Sequence, residues 1–288
     1  MFDNTEKHTY KKIISQNGLA EFKSLIEKWE ILSQNLSDKP SGVPIILPDL
    51  FLVSRSGTGR THVMKLLAEY LSEKPNLMSF YGDVKYFEFM LNYCAPHEYF
   101  SEIQRLMTEV NNAAGFRSEY RGIIYIDVDE WREHFEEKHF ISFMEYLSDN
   151  SDDWLVVLSV SDDKPEQIRK MEALILSYIR IERITLEPPT VDELMKYAAR
   201  LLGAYGFSLT AQAESILAES IGELCGNKYF DGYKTIKMLC EDIAYSLYIS
   251  GFRKNKEIKT EDLTKFRKDS EYIRRMIVKI EAIRKIGF

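Results

Sequence analysis

The stretch Ser54-Arg55-Ser56-Gly57-Thr58-Gly59-Arg60-Thr61 constrains this chain more than any other. It stands between an apolar run, Leu50 to Val53, and a segment in which Val63, Leu66, Leu67, Tyr70 and Leu71 recur at helical spacing. Glycines in such a strand-to-helix turn let the backbone curl so that successive N–H groups point inward, and the following helix N-terminus adds partial positive charge. That environment suits a phosphate. Against the pattern GxxxxGK[ST], Gly59 is the last glycine and Thr61 supplies the hydroxyl that reaches Mg²⁺. Ser54 replaces the first glycine and Arg60 replaces the lysine. Arginine keeps the charge, but its planar fork is bulkier than an ammonium, so phosphate binding tolerates the change better than phosphate chemistry does. Ser56, Gly57, Thr58, Gly59, Arg60, Thr61 and His62 are the expected cofactor-binding residues of this turn.

Further apolar runs at Leu77 to Tyr81, Ile123 to Ile126, Trp154 to Val160 and Ile181 to Leu186 predict strands of one sheet. Helical periodicity over Leu19 to Leu32 and at about 98–114, 138–148 and 165–178 supplies the covering layers. Nearly continuous apolar strands alternating with helices imply a parallel sheet buried on both faces. The boundary of this α/β domain, 1–188, falls at Glu187-Pro188-Pro189-Thr190, where prolines stop the ladder and Thr190 is a good helix N-cap. Residues 189–288 read as all-helical, with helices near 190–204, 210–224, 231–250 and 260–285 joined by the turns AYGFSLT, CGNKYF and GFRKNKE.

The run Ile123-Ile124-Tyr125-Ile126-Asp127 ends an apolar strand in a carboxylate, the arrangement in which an aspartate holds the shell of a phosphate-bound Mg²⁺. Asp127 and Thr61 are therefore the expected metal-site residues. With both elements in this order, the chain from about residue 17 to 250 resembles the AAA+ superfamily. Gly18-Leu19-Ala20-Glu21-Phe22-Lys23 looks like its leading "G-L-x-x-V-K" helix, and SGTGRT is similar to its "PGTGKT". The segment Gly226-Asn227 through Leu239-Cys240-Glu241 resembles the sensor 2 helix, above all in the subgroup of red-type rubisco activases and type VII secretion chaperones, and Thr190-Val191-Asp192-Glu193-Leu194 looks like the first lid helix.

The resemblance implies a P-loop α/β domain, helices on both faces of its sheet, followed by a small all-helical lid that binds ATP or ADP with Mg²⁺. It also exposes departures. The position after Asp127, where the family carries the glutamate that polarises the attacking water, is Val128; Asp129 and Glu130 follow it. Asp127, Glu130 and Ser161 are the catalytic candidates, with Ser159 as the alternative tip of the next strand. Lys234 or Lys237 stands at the sensor 2 position, and Tyr178, Arg180 or Arg183 at that of the arginine finger. The loss of a transition-state stabiliser costs about 10³-fold or more. A regulatory or scaffolding module with weak or no hydrolysis is therefore expected, in partnership with another protein or within a mixed AAA+ assembly. The alternatives are an active ATPase that remodels a protein partner, with Glu130 as base, and a nucleic-acid-associated loader using the basic C-terminal helix.

Composition narrows these choices. A net charge of −7 over 288 residues argues against a general nucleic-acid coat, although basic residues gather beyond Phe252. Cys94, Cys225 and Cys240 lack metal-ligand spacing and read as reduced thiols. His134 and His139, five apart, do not share a helix face. No apolar run approaches the ~20 residues of a membrane span, and the start MFDNTEKHTYKK has no signal-peptide core, so no membrane association and a cytoplasmic location are expected.

Overall fold

The structure, a computed structural model, describes residues 8–16, 18–37, 47–55, 57–78, 83–91, 93, 101, 105, 108, 122–150, 154–227, 230–251 and 256–285. Two compact units emerge: residues 1–55 with 60–186, and residues 56–59 with 187–288.

In the first unit, helices α1 (His8–Ile14) and α2 (Ala20–Ser37) precede strand β1 (Asp49–Ser54), helix α3 (Arg60–Ser72) and the short helix α4 (Pro75–Met78). Then come β2 (Lys85–Met90), β3 (Gly122–Asp127), a 3₁₀ turn (Asp129–Trp131), α5 (Lys138–Asn150), β4 (Trp154–Val160), α6 (Pro165–Ile175) and β5 (Ile181–Leu186). The five strands form one parallel sheet in the order β2-β3-β4-β1-β5.

Side chains alternate across a strand, so each inner strand feeds two cores. Leu50, Leu52, Ile123, Tyr125 and Val157 pack with Phe22, Leu25, Met64 and Leu67 of α2 and α3. On the opposite face Phe51, Val53, Ile124, Ile126 and Leu158 pack with Phe140, Phe143, Ile168 and Met171 of α5 and α6. Full burial of each such side chain stabilises by about 1.5–3 kcal/mol, which explains why β1, β3 and β4 read as unbroken apolar runs.

This layout contains a reversal of strand order. From β1 the chain crosses through α3 to β2 at one edge, whereas from β4 it crosses through α6 to β5 at the other edge. Helices α3 and α6 consequently cover opposite faces. Between the carboxyl ends of adjacent β1 and β4 lies a topological switch point, the place where open α/β sheets hold their ligands.

One expectation for this unit is corrected. The run Leu77 to Tyr81 is not the second strand: Pro75 starts α4, a first-turn position that suits its missing N–H, and residues 79–82 lie outside the described residues. The second strand is β2, the edge strand, whose residues are partly or fully exposed. An edge strand does not need a continuous apolar run. Of the helix expected at 98–114, only Ser101, Arg105 and Thr108 are described, each helical.

The second unit contains α7 (Val191–Ala204), β6 (Phe207–Leu209), α8 (Ala211–Cys225), α9 (Gly232–Ile249), β7 (Lys256–Ile258), a 3₁₀ turn (Thr264–Phe266) and α10 (Glu271–Lys285). Thr190 caps α7 with a complete capping box: its hydroxyl accepts the Glu193 N–H while the Glu193 carboxylate accepts the Thr190 N–H. The unit is not all-helical as expected. Strands β6 and β7 pair in parallel, with buried Phe207 and Ile258 as apolar anchors, inside segments that glycine and charge mark as turns. The last helix starts at Glu271 rather than near 260, because Leu263 and Phe266 plug the core from a 3₁₀ turn and Asp269 takes a left-handed φ of 60°.

Candidate functional site

Arg60 is the first residue of α3, and Asp127 is the last residue of β3. In the β3–β4 register Asp127 lies opposite Ser159, and Tyr125, two residues before Asp127, shares its face. These four side chains converge. The Arg60 guanidinium donates to Asp127 Oδ2 at 3.0 Å and reaches the Tyr125 and Ser159 hydroxyls at 3.4 Å each. Ser159, itself fully buried, donates to the Tyr125 oxygen at 2.6 Å. The second Asp127 oxygen accepts the Asp129 N–H at 3.0 Å.

The ion pair is about four-fifths buried at both ends, 21% and 20% exposed, so it sits where charge–charge attraction exceeds that of a surface pair. Burial disfavours charge on Arg60, but the Tyr125 oxygen and the Asp127 carboxylate outweigh it and hold the guanidinium above its ordinary value. For Asp127 burial is the largest influence and lifts the carboxyl above the usual range, against the Asp129 N–H and Arg60, which lower it. Tyr125 is raised chiefly by burial. At the carboxyl end of β1, the Ser54 hydroxyl is buried without a hydrogen-bond partner among the described residues.

The glycine turn belongs to the second unit. Gly57 and Gly59 take left-handed φ values of 77° and 94°. At Gly57 the reason is a close approach: its carbonyl accepts the Tyr233 N–H at 3.2 Å, and a Cβ there would stand 2.1 Å from the Asp231 carbonyl carbon. Thr58 is buried, whereas Thr61 and His62 are exposed at the start of α3. Ser56 lies outside the described residues. Lys234, 74% exposed, stands 3.6 Å from Asp231 one turn back on its own helix.

The remaining candidates fall elsewhere. Glu130 is exposed, and its carboxylate accepts the Tyr93 N–H at 2.7 Å. Ser161 donates its hydroxyl to Asp129 Oδ2 at 3.0 Å and its N–H to Asp129 Oδ1 at 2.7 Å; Arg132 ties the same Asp129 to the Ser161 carbonyl and to Asp163. Asp129 and Ser161 therefore brace the loop after β4, and Ser159, not Ser161, joins Arg60 and Asp127. Val128 has no exposed surface and lies in the apolar core with Trp131 and Phe140. Of the finger positions, Tyr178 packs on that core, Arg183 pairs with Glu172 at 3.0 Å, and Arg180 is exposed. Sequence reasoning missed Tyr125. Its signal was present, since Tyr125 and Asp127 are two apart on one strand.

Cys240 is buried, and burial pushes its thiol up to about 12, which leaves it unreactive at neutral pH. Among the described residues no three His, Cys, Asp or Glu side chains gather into a metal-binding group, and no helix is long and apolar enough to cross a membrane. The sheet and its flanking helices define an α/β protein compatible with a P-loop-like fold. No protein-family model matches the chain, and no curated protein is similar to it in sequence.

Proposed function

We propose that this chain is a nucleotide-binding module of the AAA+ type that holds ATP or ADP at the carboxyl edge of its five-stranded sheet and hydrolyses it weakly or not at all. The observation that carries this reading is the Arg60–Asp127 pair beside the topological switch point: Asp127 ends β3, and Arg60 starts α3, which a turn with two left-handed glycines joins to β1. A fixed cation at a helix N-terminus favours a polyphosphate. The buried Ser54 hydroxyl, without a hydrogen-bond partner among the described residues, adds a polar group at the carboxyl end of β1. By the family resemblance the second unit takes the role of the lid, with α9 as its sensor 2 helix.

Weak hydrolysis follows from the positions after Asp127. Val128 is committed to the core, and Glu130 is committed to the Tyr93 N–H, so neither offers a carboxylate beside Asp127 to orient water. An active motor would require Glu130 to leave that bond. The module then serves as a regulatory or scaffolding subunit for a protein partner. Calorimetric titration with ATP and with ADP, alongside measurement of phosphate release, tests the proposal. Binding without turnover is expected; absence of heat and of any thermal shift with either nucleotide would overturn it.

A further inference from the structure

The P-loop reading brings Mg²⁺ with it, and the donor set can be tested against that ion. Mg²⁺ demands oxygen ligands at about 2.0–2.1 Å in near-octahedral geometry, and such sites draw one or two carboxylates from the protein. Here the carboxylate is Asp127, and both its oxygens are engaged by the protein: Oδ1 by the Asp129 N–H and Oδ2 by Arg60, each at 3.0 Å. A guanidinium has five donors, no acceptor, and stays protonated. It occupies the flank of Asp127 that a metal would need, and two cations cannot share that flank. Tyr125 and Ser159 hold it there from the sheet side. These residues do not fit a magnesium shell.

Resting on the nucleotide-binding reading, we infer that this site takes nucleotide without a divalent cation, the Arg60 guanidinium standing where other P-loop sites place the metal. The substrate class is then the free polyanion, ATP or ADP unchelated, rather than its magnesium complex. Arg60 is fixed in the fold, so the site needs no ion from solution to become cationic. Its charge is offset by Asp127 in the resting state, and the incoming phosphate draws the guanidinium partly away from that carboxylate.

The test is equilibrium binding of ATP and ADP to the full chain by calorimetry, once with excess MgCl₂ and once with EDTA. The expected affinity in EDTA equals or exceeds that in magnesium. Affinity at least about tenfold weaker in EDTA would overturn the inference while leaving nucleotide binding intact. No binding in either buffer would overturn the nucleotide reading and this inference with it. Two variants, checked for folding by circular dichroism and melting, sharpen the result. Asp127→Asn releases Arg60 from its counter-charge and should keep or tighten binding in both buffers, whereas a site built on metal would lose affinity in magnesium. Arg60→Ala should abolish binding in EDTA; retained metal-free binding by a folded Arg60→Ala protein would refute the role assigned to the guanidinium.

Discussion

Restoring a glutamate after Asp127, by Val128→Glu, is the change that the family resemblance recommends, and the structure argues that it fails by unfolding the protein rather than by leaving it inactive. Val128 has no exposed surface and belongs to the core that contains Phe51, Trp131, Phe140 and Leu158. A lone carboxylate cannot remain ionised there, so the folded state would keep it protonated. Holding a glutamate neutral at pH 7, against an ordinary value near ~4.3, costs about 4 kcal/mol, and overpacking adds about 1–3 kcal/mol. The total consumes a large share of the about 5–15 kcal/mol that separates folded from unfolded domains. The sign of the pH dependence follows from the raised carboxyl. Its stability contribution is present below the unfolded value and is lost as pH rises, so the gap between variant and parent should widen by about 3 kcal/mol from pH ~5 to ~7. Urea unfolding of both proteins at those two pH values measures it, with phosphate release followed in parallel. A variant as stable as its parent at pH ~7, or one that gains turnover, would refute this account of Val128.

Asp49, at the start of β1, accepts the Val156 N–H at 2.8 Å, yet burial lifts its carboxyl to about 7. A raised carboxyl stabilises below its unfolded value and loses that contribution as pH climbs through the folded one, so Asp49→Asn should flatten the loss of stability between pH ~4 and ~7 by on the order of 3 kcal/mol; equal slopes for the two proteins would contradict this. Tyr125→Phe removes the oxygen that accepts from Ser159 and Arg60 and should cost about 1 kcal/mol in urea unfolding while weakening nucleotide affinity, and a variant unchanged in both would deny Tyr125 its positioning role. Thr190→Ala breaks the capping box of α7 and should cost about 1 kcal/mol, whereas Thr190→Ser should recover most of it in the same assay.

What was legible in the sequence follows from burial. Strands β1, β3, β4 and β5 stood out because inner parallel strands need apolar side chains at successive positions, and each was placed within a residue or two. The edge strand β2 carries Lys85 ahead of its aromatics and Glu88 among them, a pattern of half exposure that is weaker as a strand signal than the apolar run at Leu77 to Tyr81. Three-residue strands such as β6 and β7 are too short to show a period. At the site, glycine spacing announced the turn and the end of an apolar run announced Asp127. Their partners depended on register, which sequence does not reveal: Asp127 pairs with Ser159, so the loop serine Ser161 fell to Asp129 instead. Whether Val128 points to solvent or into the core also rests on the path of the chain after β3.

Strand β1 contributes Leu50 and Leu52 to one core and Phe51 and Val53 to the other, and it is hydrogen-bonded on both sides, to β4 and β5. Local opening events expose amides only where few contacts must be broken at once. Freeing β1 disrupts two ladders and both cores, so its amide protons should exchange with deuterium only when the whole domain unfolds, while those of β2, bonded on one side, exchange sooner. The turn at Gly57 and Gly59 thus follows one of the three slow-exchanging inner strands, so any protection that a nucleotide induced there would register in the turn itself rather than in its support.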